Sequence, residues 1–289
     1  MNKLLTVALT LPLMACVIGQ DGSTGDDTSG SGSNAGSGSN AGSGSGTGSG
    51  TGSNDGLAHI TASATWSDTF AIAKPTVIDP GVTITVPASA KITLASTAYL
   101  NVKGTLNVQG AKGTEVSIGP VTAGDHHEGI TVMSGGTLTM TYAHQIGGGI
   151  TTNGGTTTIN DSVMEQAEGD FLVIGAGTVT VDHSTIGTET GTNSTHCNMH
   201  FGGTGTTIKI NNSNIATSSY GLMLYGGSNV DLKNNNWINN TYQVDTTPGV
   251  SGDISGGWFD KGGTPKAGSG ATLTATGISA TRLTDAGPR

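Results

Sequence analysis

The chain has 289 residues, of which 49 are glycine, while only 11% are charged and 4% are aromatic. Soluble domains usually carry roughly a quarter of charged residues, so this composition argues against a helical bundle and favours β-structure. The formal net charge is −9 and no stretch is rich in lysine or arginine, which excludes the basic surface that a nucleic-acid partner needs. Two cysteines are too few for a disulfide framework.

The first sixteen residues have the pattern of an export signal. A single lysine, Lys3, precedes an apolar run over residues 4–13, which is shorter than the ~20 residues needed to span a bilayer. The run ends in Leu13-Met14-Ala15-Cys16, which resembles the lipobox of bacterial lipoproteins apart from Met14, where a small residue is usual. The resemblance implies a signal peptide over residues 1–15 and a mature chain that begins with a lipidated Cys16.

Lipidation of Cys16 would make the membrane a partner of this chain. Buried acyl chains contribute ~0.8 kcal/mol per CH₂ group, so several of them hold a protein on a membrane without a transmembrane helix. Residue 17 is valine rather than the aspartate that retains some lipoproteins at the inner membrane. The resemblance therefore implies a lipid anchor in the cell outer membrane, on a face that the sequence leaves open. Plain secretion after cleavage at an alanine is the alternative.

Residues 16–56 are predicted to form a disordered tether behind the lipidated cysteine. From residue 21 onward nearly every residue is glycine, serine, threonine, asparagine, alanine or aspartate, and the segment 32–37 is repeated at 38–43. Such side chains cannot build a core, and Gly/Ser chains behave as flexible coils that here span roughly 30–35 Å. A glycosylated Ser/Thr stalk is a second interpretation.

From residue 57 to residue 289 the sequence repeats short segments in which apolar residues alternate with threonine. Alternation of this kind is typical of β-strands. The segments recur about every 20–25 residues with no helical stretch between them, which is the pattern of a solenoid of stacked β-coils. The clearest of them align at residues 137–140, 156–159, 178–181, 207–210 and 229–232.

The alignment also predicts which side chains stack from coil to coil. An inward aliphatic column is expected at Met140, Ile159, Val181, Ile210 and Leu232. Equivalent turns carry small polar residues at Ser162, Ser184, Ser213 and Asn235. Their side chains can bond backbone groups that a bend leaves unpaired. A two-sheet sandwich is the alternative fold, but it predicts turn signals about every 8–12 residues and not this register.

The early coils share a pattern of short strands punctuated by glycine. It is seen at Trp66, Val77–Pro87, Tyr99–Gly110, Glu128–Val132 and Gly135–Met140. These segments resemble the entry coils of bacterial right-handed parallel β-helix proteins of the pectin-lyase-like superfamily. The resemblance covers roughly residues 60–245 and implies an all-β chain, a right-handed single-stranded parallel β-helix (solenoid) after the signal peptide and disordered linker. We expect Trp258-Phe259 to cap the last coil.

The superfamily includes lyases, hydrolases, epimerases, adhesins and surface proteins, so the resemblance leaves the activity open. Its polysaccharide lyases use lysine or arginine as the base, often with Ca²⁺, but no arginine occurs between Cys16 and Ala280. The hydrolase motifs Asn-Thr-Asp, Asp-Asp, Gly-His-Gly and Arg-Ile-Lys are absent from the repeats. We therefore expect a non-catalytic module with no cofactor and assign no catalytic residue.

Carboxylates on the coils keep a divergent carbohydrate-active enzyme open as the alternative, because a pair across coils could serve as general acid and base. They are Asp125, Glu128, Asp161, Glu165, Glu168, Asp170 and Asp182.

The segment 196–200 combines two histidines with a cysteine. Strand alternation predicts that His196, Asn198 and His200 share the outer face, while Cys197 is a buried thiol that points inward. Histidines four residues apart on a strand are ~13 Å apart, too far to share one metal, so no metal is expected. A ligand set across coils, such as His200 with Asp170, is the alternative.

An apolar strip on the outer face of a second set of strands is predicted to be a binding surface, since contiguous exposed apolar groups usually mark an interface. It comprises Met133, Leu172, Ile174, His200, Met223 and Tyr225, flanked by Asn153 and Asp170. We expect a surface-anchored lipoprotein whose β-helix binds a polysaccharide or a surface protein there, or has a structural role. The alternative is that the insertion at residues 188–195 folds over the strip.

Overall fold

The computed structural model describes residues 55–190, 196–203, 206–225, 229–261 and 265–289. The predicted signal peptide, Cys16 and the tether up to residue 54 lie outside those residues. Within them every regular element is a β-strand, and no helix is present that is long and apolar enough to cross a membrane. In chain order the strands are β1 Ala58–Ile60, β2 Ala64–Thr65, β3 Thr69–Ile72, β4 Thr76–Ile78, β5 Thr83–Pro87, β6 Lys91–Leu94, β7 Leu100–Val102, β8 Thr105–Gln109, β9 Val116–Pro120, β10 Ile130–Met133, β11 Thr137–Thr141, β12 Ala143–Ile146, β13 Ile150–Asn160, β14 Val163–Glu165, β15 Leu172–Asp182, β16 Thr185–Ile186, β17 Cys197–Phe201, β18 Thr207–Asn211, β19 Asn214–Ala216, β20 Tyr220–Leu224, β21 Asn229–Asp231, β22 Asn236–Ile238, β23 Tyr242–Thr246, β24 Ser251–Asp253, β25 Trp258–Phe259 and β26 Thr272–Thr274.

These strands form a parallel β-solenoid of about nine turns, which confirms the predicted all-β coil. Each complete turn contributes one strand to each of three stacks. The first stack runs from β1 through β4, β7 and β10 to β23, the second from β2 through β5, β8 and β11 to β26, and the third from β3 through β6 and β9 to β25. The long strands β13 and β15 pass through both the first and the second stack and join them into one 17-stranded sheet.

The predicted aliphatic column is present in the second stack. Met140 pairs with Ile159, Ile159 with Val181, and Val181 with Ile210. Leu232 continues the column, since the residues just before it and before Ile210 are paired as well. All five side chains are buried in one continuous core. Parallel stacking of identical turns therefore builds the interior from residues that are one winding apart in sequence.

The neighbouring inward column contains one polar residue. It consists of Ile84, Leu106, Leu138, Thr157, Val179, Ile208 and Val230 in successive register. Thr157 is fully buried, and its hydroxyl lies 2.7 Å from the hydroxyl of Thr152. Because each hydroxyl supplies the other with a hydrogen-bond partner, the core accepts this polar pair.

The turn after the second stack is held by the predicted ladder of small polar side chains. The Ser162 N–H donates to Ser184 Oγ at 3.2 Å, the Ser184 N–H to Ser213 Oγ at 3.1 Å, and the Ser213 N–H to Asn235 Oδ1 at 2.8 Å. All four side chains are buried. The residue before each of them has a positive φ, as at Asp161 with φ 47°. The left-handed residue makes the corner, and the next side chain accepts the N–H from the coil before it.

Aromatic pairs lie near both ends of the described solenoid. Trp66 stacks on Phe70 in the first coil, with ring centroids 3.7 Å apart. At the other end Trp258-Phe259 is an ordinary strand, β25, the last of the third stack, and Phe259 stacks on Trp237 at 5.8 Å. The segment expected to cap the last coil is thus itself part of a coil.

The last residues of the chain return along the outside of the solenoid. The Asn236 side chain exchanges hydrogen bonds with both backbone groups of Leu283, at 2.9 Å each. The Gly287 N–H donates to the Asn212 carbonyl at 2.9 Å. Arg289 donates from its backbone and its guanidinium to the Asp161 carboxylate, at 2.9 to 3.1 Å. This C-terminal tail, residues 282–289, therefore contacts several successive coils.

Candidate functional site

A cleft of about 640 Å³ opens where the chain enters the first stack in successive coils. It is formed by residues 124–128, 148–151 and 168–170, which precede or begin β10, β13 and β15. Its acidic and histidine side chains are Asp125, His126, His127, Glu128, Glu168 and Asp170. Among the described residues that line it, none is lysine or arginine. The cleft is therefore a polar site with acidic walls.

Glycines allow the coils to approach closely at the floor of this cleft. A Cβ atom on Gly149 would lie 2.3 Å from the Asp170 carbonyl oxygen, and one on Gly129 would lie 2.3 Å from the Gly149 carbonyl oxygen. Because backbone atoms cannot move aside as a flexible side chain can, these positions require glycine. The cleft exists because the wall side chains lie beside glycines that contribute none.

His127 forms part of the floor and is only 5% exposed. Its Nδ1 accepts a hydrogen bond from the Gly129 N–H at 3.0 Å, so its Nε2 carries the proton and donates to the Ile146 carbonyl at 3.1 Å. Burial lowers the pKa of His127, and the neighbouring His126 lowers it further, against the opposing effect of the bond to Ile146. His127 is therefore a neutral structural residue that ties two coils together.

Asp170 lies between the cleft and the next coil, where it binds three groups. The His196 Nδ1 donates to Oδ1 at 2.5 Å and the His200 Nδ1 to Oδ2 at 3.2 Å, while the Cys197 N–H donates to Oδ1 at 3.1 Å. Burial by itself would raise the pKa of Asp170, but the hydrogen bonds from His200 and His196 outweigh it, and the net pKa is lowered. Asp170 is therefore an ionised carboxylate with two histidine partners.

From the following coil Met223 completes this group of side chains, and Tyr225 packs beside it. The Cys197 Sγ lies 2.8 Å from the Met223 Sδ, and the Tyr225 ring meets the His200 ring edge to face at 5.2 Å. The Tyr225 hydroxyl donates to Asp245 at 3.3 Å. Burial, followed by the charge of Asp245, raises the pKa of Tyr225 to about 12, so its hydroxyl stays protonated. We call Asp170, His196, Cys197, His200 and Met223 the Asp170 cluster.

The structure of residues 196–200 differs from the alternation of side chains predicted for them. Asn198 and Met199 are both fully buried, so two consecutive side chains point inward. Asn198 Nδ2 bonds the Ala216 carbonyl at 2.9 Å instead of sharing the outer face with the histidines. Cys197 is buried as expected, but it is in register with Tyr220 rather than with the inward column. The break in alternation lets both histidine rings reach one carboxylate, so the ~13 Å separation of an extended strand does not apply to the rings.

The predicted apolar strip is wrong at two of its residues. Leu172 and Ile174 are 1% exposed and pair with the inward Met199 and Phe201. Phe171 and Leu172 are both buried where the chain turns into β15. The inward positions along β15 are therefore the ones that were predicted to face outward.

The other strip residues fall into two groups. His200, Met223, Tyr225 and Asp170 come together in or beside the Asp170 cluster, whereas Met133 pairs with Asn153 on β10 and β13, the coils that precede β15. Residues 191–195 of the insertion expected to cover the strip lie outside the described residues, so that alternative is not tested.

The cleft itself was not predicted from the sequence. Asp125, Glu128 and Glu168 were recognised as coil carboxylates, but not as neighbours. The available signal was the glycines around them, such as Gly129 and Gly147-Gly148-Gly149, which mark the corners where successive coils approach.

Comparison with known proteins adds no relative. No family model matches the chain, and neither a curated protein nor a solved structure matches it. The parallel β-solenoid is therefore shown by the strand pairings described above.

Proposed function

We propose that this protein is an outer-membrane lipoprotein, anchored by a lipidated Cys16, whose β-helix of the pectin-lyase-like type is a non-catalytic polysaccharide-binding module. The observation that carries the proposal is the acidic cleft, which spans three successive coils. Its volume falls in the range of about 300–1,000 Å³ that is usual for small-molecule sites. Equivalent positions in neighbouring coils are ~4.8 Å apart, so the cleft presents a row of polar groups to an extended polymer.

The wall residues have the chemistry to bind sugar hydroxyls. Asp125, Glu128 and Glu168 are exposed, and ionised carboxylates accept hydrogen bonds from hydroxyl groups. No described lining residue is a lysine or arginine that could pair with an acidic sugar. Like charges repel, so the cleft favours a neutral or amino-sugar polymer over a polyuronate.

An aromatic pair of half-buried Tyr220 and exposed Tyr242 extends this face along the solenoid. Tyr220 is in register with Cys197, whose N–H binds the cleft residue Asp170. Tyr220 stacks on Tyr242 with ring centroids 5.0 Å apart, and Tyr242 is 57% exposed. Aromatic rings with a polar end are well suited to sugar contact, so the pair can continue the polymer path beyond the cleft.

Binding of neutral, amino-sugar and uronate polysaccharides to the purified full chain tests the proposal. Glu128→Gln and Glu168→Gln each remove one wall charge and should weaken binding of the preferred polymer by roughly 10- to 100-fold, the size of one lost hydrogen bond to a charged group. Asp285→Asn, an exposed carboxylate in the C-terminal tail, is the matched control and should bind as the unaltered chain does. Equal binding by all three variants, or a preference for polyuronate, would contradict the proposal.

The same cleft supports one rival function, a carbohydrate-active enzyme. Four carboxylates line it, two before β10 and two before β15 with one coil between them, and pairs of carboxylates perform glycoside hydrolysis. The binding assay separates the two functions when released reducing ends are measured in parallel. Release that disappears in Glu128→Gln or Glu168→Gln would favour the enzyme, whereas binding without release favours the module.

A further inference from the structure

We propose that the Asp170 cluster is a binding site for a thiophilic transition-metal ion, with copper as its preferred ion. One ligand atom each from Asp170, His196 and Cys197 lies within 4.8 Å of the other two. Carboxylate oxygen, imidazole nitrogen and thiolate sulfur are all protein ligands of such ions, and three protein ligands leave a position open for a fourth. This inference does not depend on the proposed glycan binding.

The backbone and the neighbouring side chains hold these ligands in place. The Cys197 N–H donates to Asp170 Oδ1 at 3.1 Å, which fixes the carboxylate against the strand that carries the cysteine. His200 donates to the other oxygen, Oδ2, at 3.2 Å. A hydrogen bond of this kind is what orients a ligating carboxylate from the second layer around a metal. The site is therefore largely formed before an ion arrives.

The side chains of the cluster are increasingly exposed from Cys197 outward to His196, as an entry path for a metal ion requires. Cys197 is fully buried, and the side chains of Asp170 and His200 are 10% and 12% exposed. The His196 side chain is 42% exposed and forms the outer edge. An ion would reach His196 first and then the carboxylate and the buried thiol, which is the access that a functional metal site needs.

The sulfur atoms of Cys197 and Met223 indicate which class of metal ion the site would prefer. The Met223 Sδ lies 2.8 Å from the Cys197 Sγ, so a thioether stands beside the thiol ligand. Thiolate and thioether ligands select copper and zinc over magnesium, calcium and manganese, which prefer oxygen ligands. Zinc sites use cysteine, histidine and carboxylate but rarely methionine, whereas thiolate, thioether and imidazole together suit copper, above all Cu⁺. The donor set therefore favours copper.

A purely structural ion-pair network is the competing explanation, and His144 supplies its matched control. The His144 Nε2 donates to Glu165 at 2.8 Å in another stack, with no cysteine or methionine in the contact. A histidine–carboxylate pair of that kind ties coils together without a metal. Replacing His144 and replacing His196 remove comparable hydrogen bonds, but only His196 lies at the proposed site.

The test titrates the full-length protein with Cu⁺ and with Zn²⁺, each against a chromogenic chelator, in a Cys16→Ser background so that Cys197 is the only cysteine. We expect one equivalent of Cu⁺ to bind more tightly than Zn²⁺. Cys197→Ser and His196→Gln should each weaken Cu⁺ binding by about 100-fold or more, whereas Met223→Leu and Asp170→Asn, which removes the carboxylate that positions His196, should each weaken it by about tenfold. His144→Gln should bind Cu⁺ as the parent does.

A second readout keeps the test valid if a variant folds poorly. Ion binding to the folded chain alone raises the midpoint of thermal unfolding, and this rise should be seen in the parent and His144→Gln and be lost in His196→Gln. Absence of stoichiometric binding of either ion by the parent would overturn the site. So would equal Cu⁺ affinity of the parent and of Cys197→Ser. Preference for Zn²⁺ would overturn the assignment to copper.

Discussion

At the scale of single residues, His127 shows how the floor of the cleft depends on a neutral side chain. Its ring accepts from one backbone N–H and donates to one backbone carbonyl, an arrangement that only the neutral form makes. Burial lowers its pKa in the folded chain, whereas in the unfolded chain it titrates near the ordinary value of about 6.5. Below that pH the unfolded state takes up a proton that the folded state does not.

His127 should therefore make the fold less stable as the pH falls below about 6.5, by at most about 1.4 kcal/mol per pH unit. Its contribution to stability is complete above the unfolded-state pKa and is lost as the pH falls towards the lower folded-state pKa. His127→Gln can keep both hydrogen bonds but cannot titrate. Urea unfolding of both proteins from pH 7.5 to 5.0 checks this, and parallel pH profiles would contradict it. His59, whose pKa is raised by Asp79 and Asp55, contributes with the opposite sign but equally in both proteins.

Gly149 illustrates a residue that is fixed by the neighbouring coil. Gly149→Ala would place a methyl group 2.3 Å from the Asp170 carbonyl oxygen, and we expect the strain to destabilise the fold by about 1–3 kcal/mol. Gly169→Ala is the control, because a Cβ at that position of the cleft meets no atom within 4 Å. Chemical denaturation of the two variants measures the difference. Equal stability would mean that the coils can separate at the cleft without cost.

At the scale of the element, the ladder in the turn after the second stack is the feature that ties one coil to the next. Ser184→Ala removes a hydroxyl that accepts from the Ser162 N–H and donates to the Asp182 carbonyl. The Ser162 N–H is then left unpaired in a buried turn, while the Asp182 carbonyl keeps only the bond from the Asp161 N–H, and we expect a loss of about 1–3 kcal/mol. Ser134→Ala, at an exposed turn, should change the stability little. Equal unfolding midpoints for the two variants would refute the role given to the ladder.

The same ladder shows why so much of the fold could be predicted. Along the strands of the second stack the side chains largely alternate between core and surface, and the repeat length fixes which residues stack, so Val181 and Ile210 in the strands and Ser184 and Ser213 in the turns could be paired by counting. The winding leaves a clear periodic signal because every coil must bury the same positions.

The errors lie where the alternation breaks. Phe171 and Leu172 are both buried at the corner before β15, and Asn198 and Met199 are both buried within β17, so the alternation continues there with a different phase. The cleft is made mainly of corner residues, the Asp170 cluster lies beside the irregular strand β17, and the geometry of both depends on these phases and on the close approach at Gly149. Periodicity therefore predicted the core columns but neither the cleft nor the convergence of His196 and His200 on Asp170.

At the scale of the whole molecule, Cys16 is predicted to decide where the protein resides. Cys16→Ser should move the protein from the detergent-extractable membrane fraction to a soluble fraction, because the chain would then lack acyl chains. Cys197→Ser removes the other cysteine and should leave the protein in the membrane fraction. Fractionation followed by immunoblotting measures both. If Cys16→Ser stays with the membrane, another segment is the anchor.

The C-terminal tail has a consequence for how the solenoid comes apart. In a repeat protein each winding touches only its neighbours, so unravelling can begin at an end and proceed one winding at a time. Leu283, Gly287 and Arg289 fasten to windings that carry Asn236, Asn212 and Asp161. Before the last winding can unfold, the hydrogen bonds that join the tail to windings as far back as the one carrying Asp161 must break. Fraying at this end is thereby converted into an event that involves half of the solenoid at once.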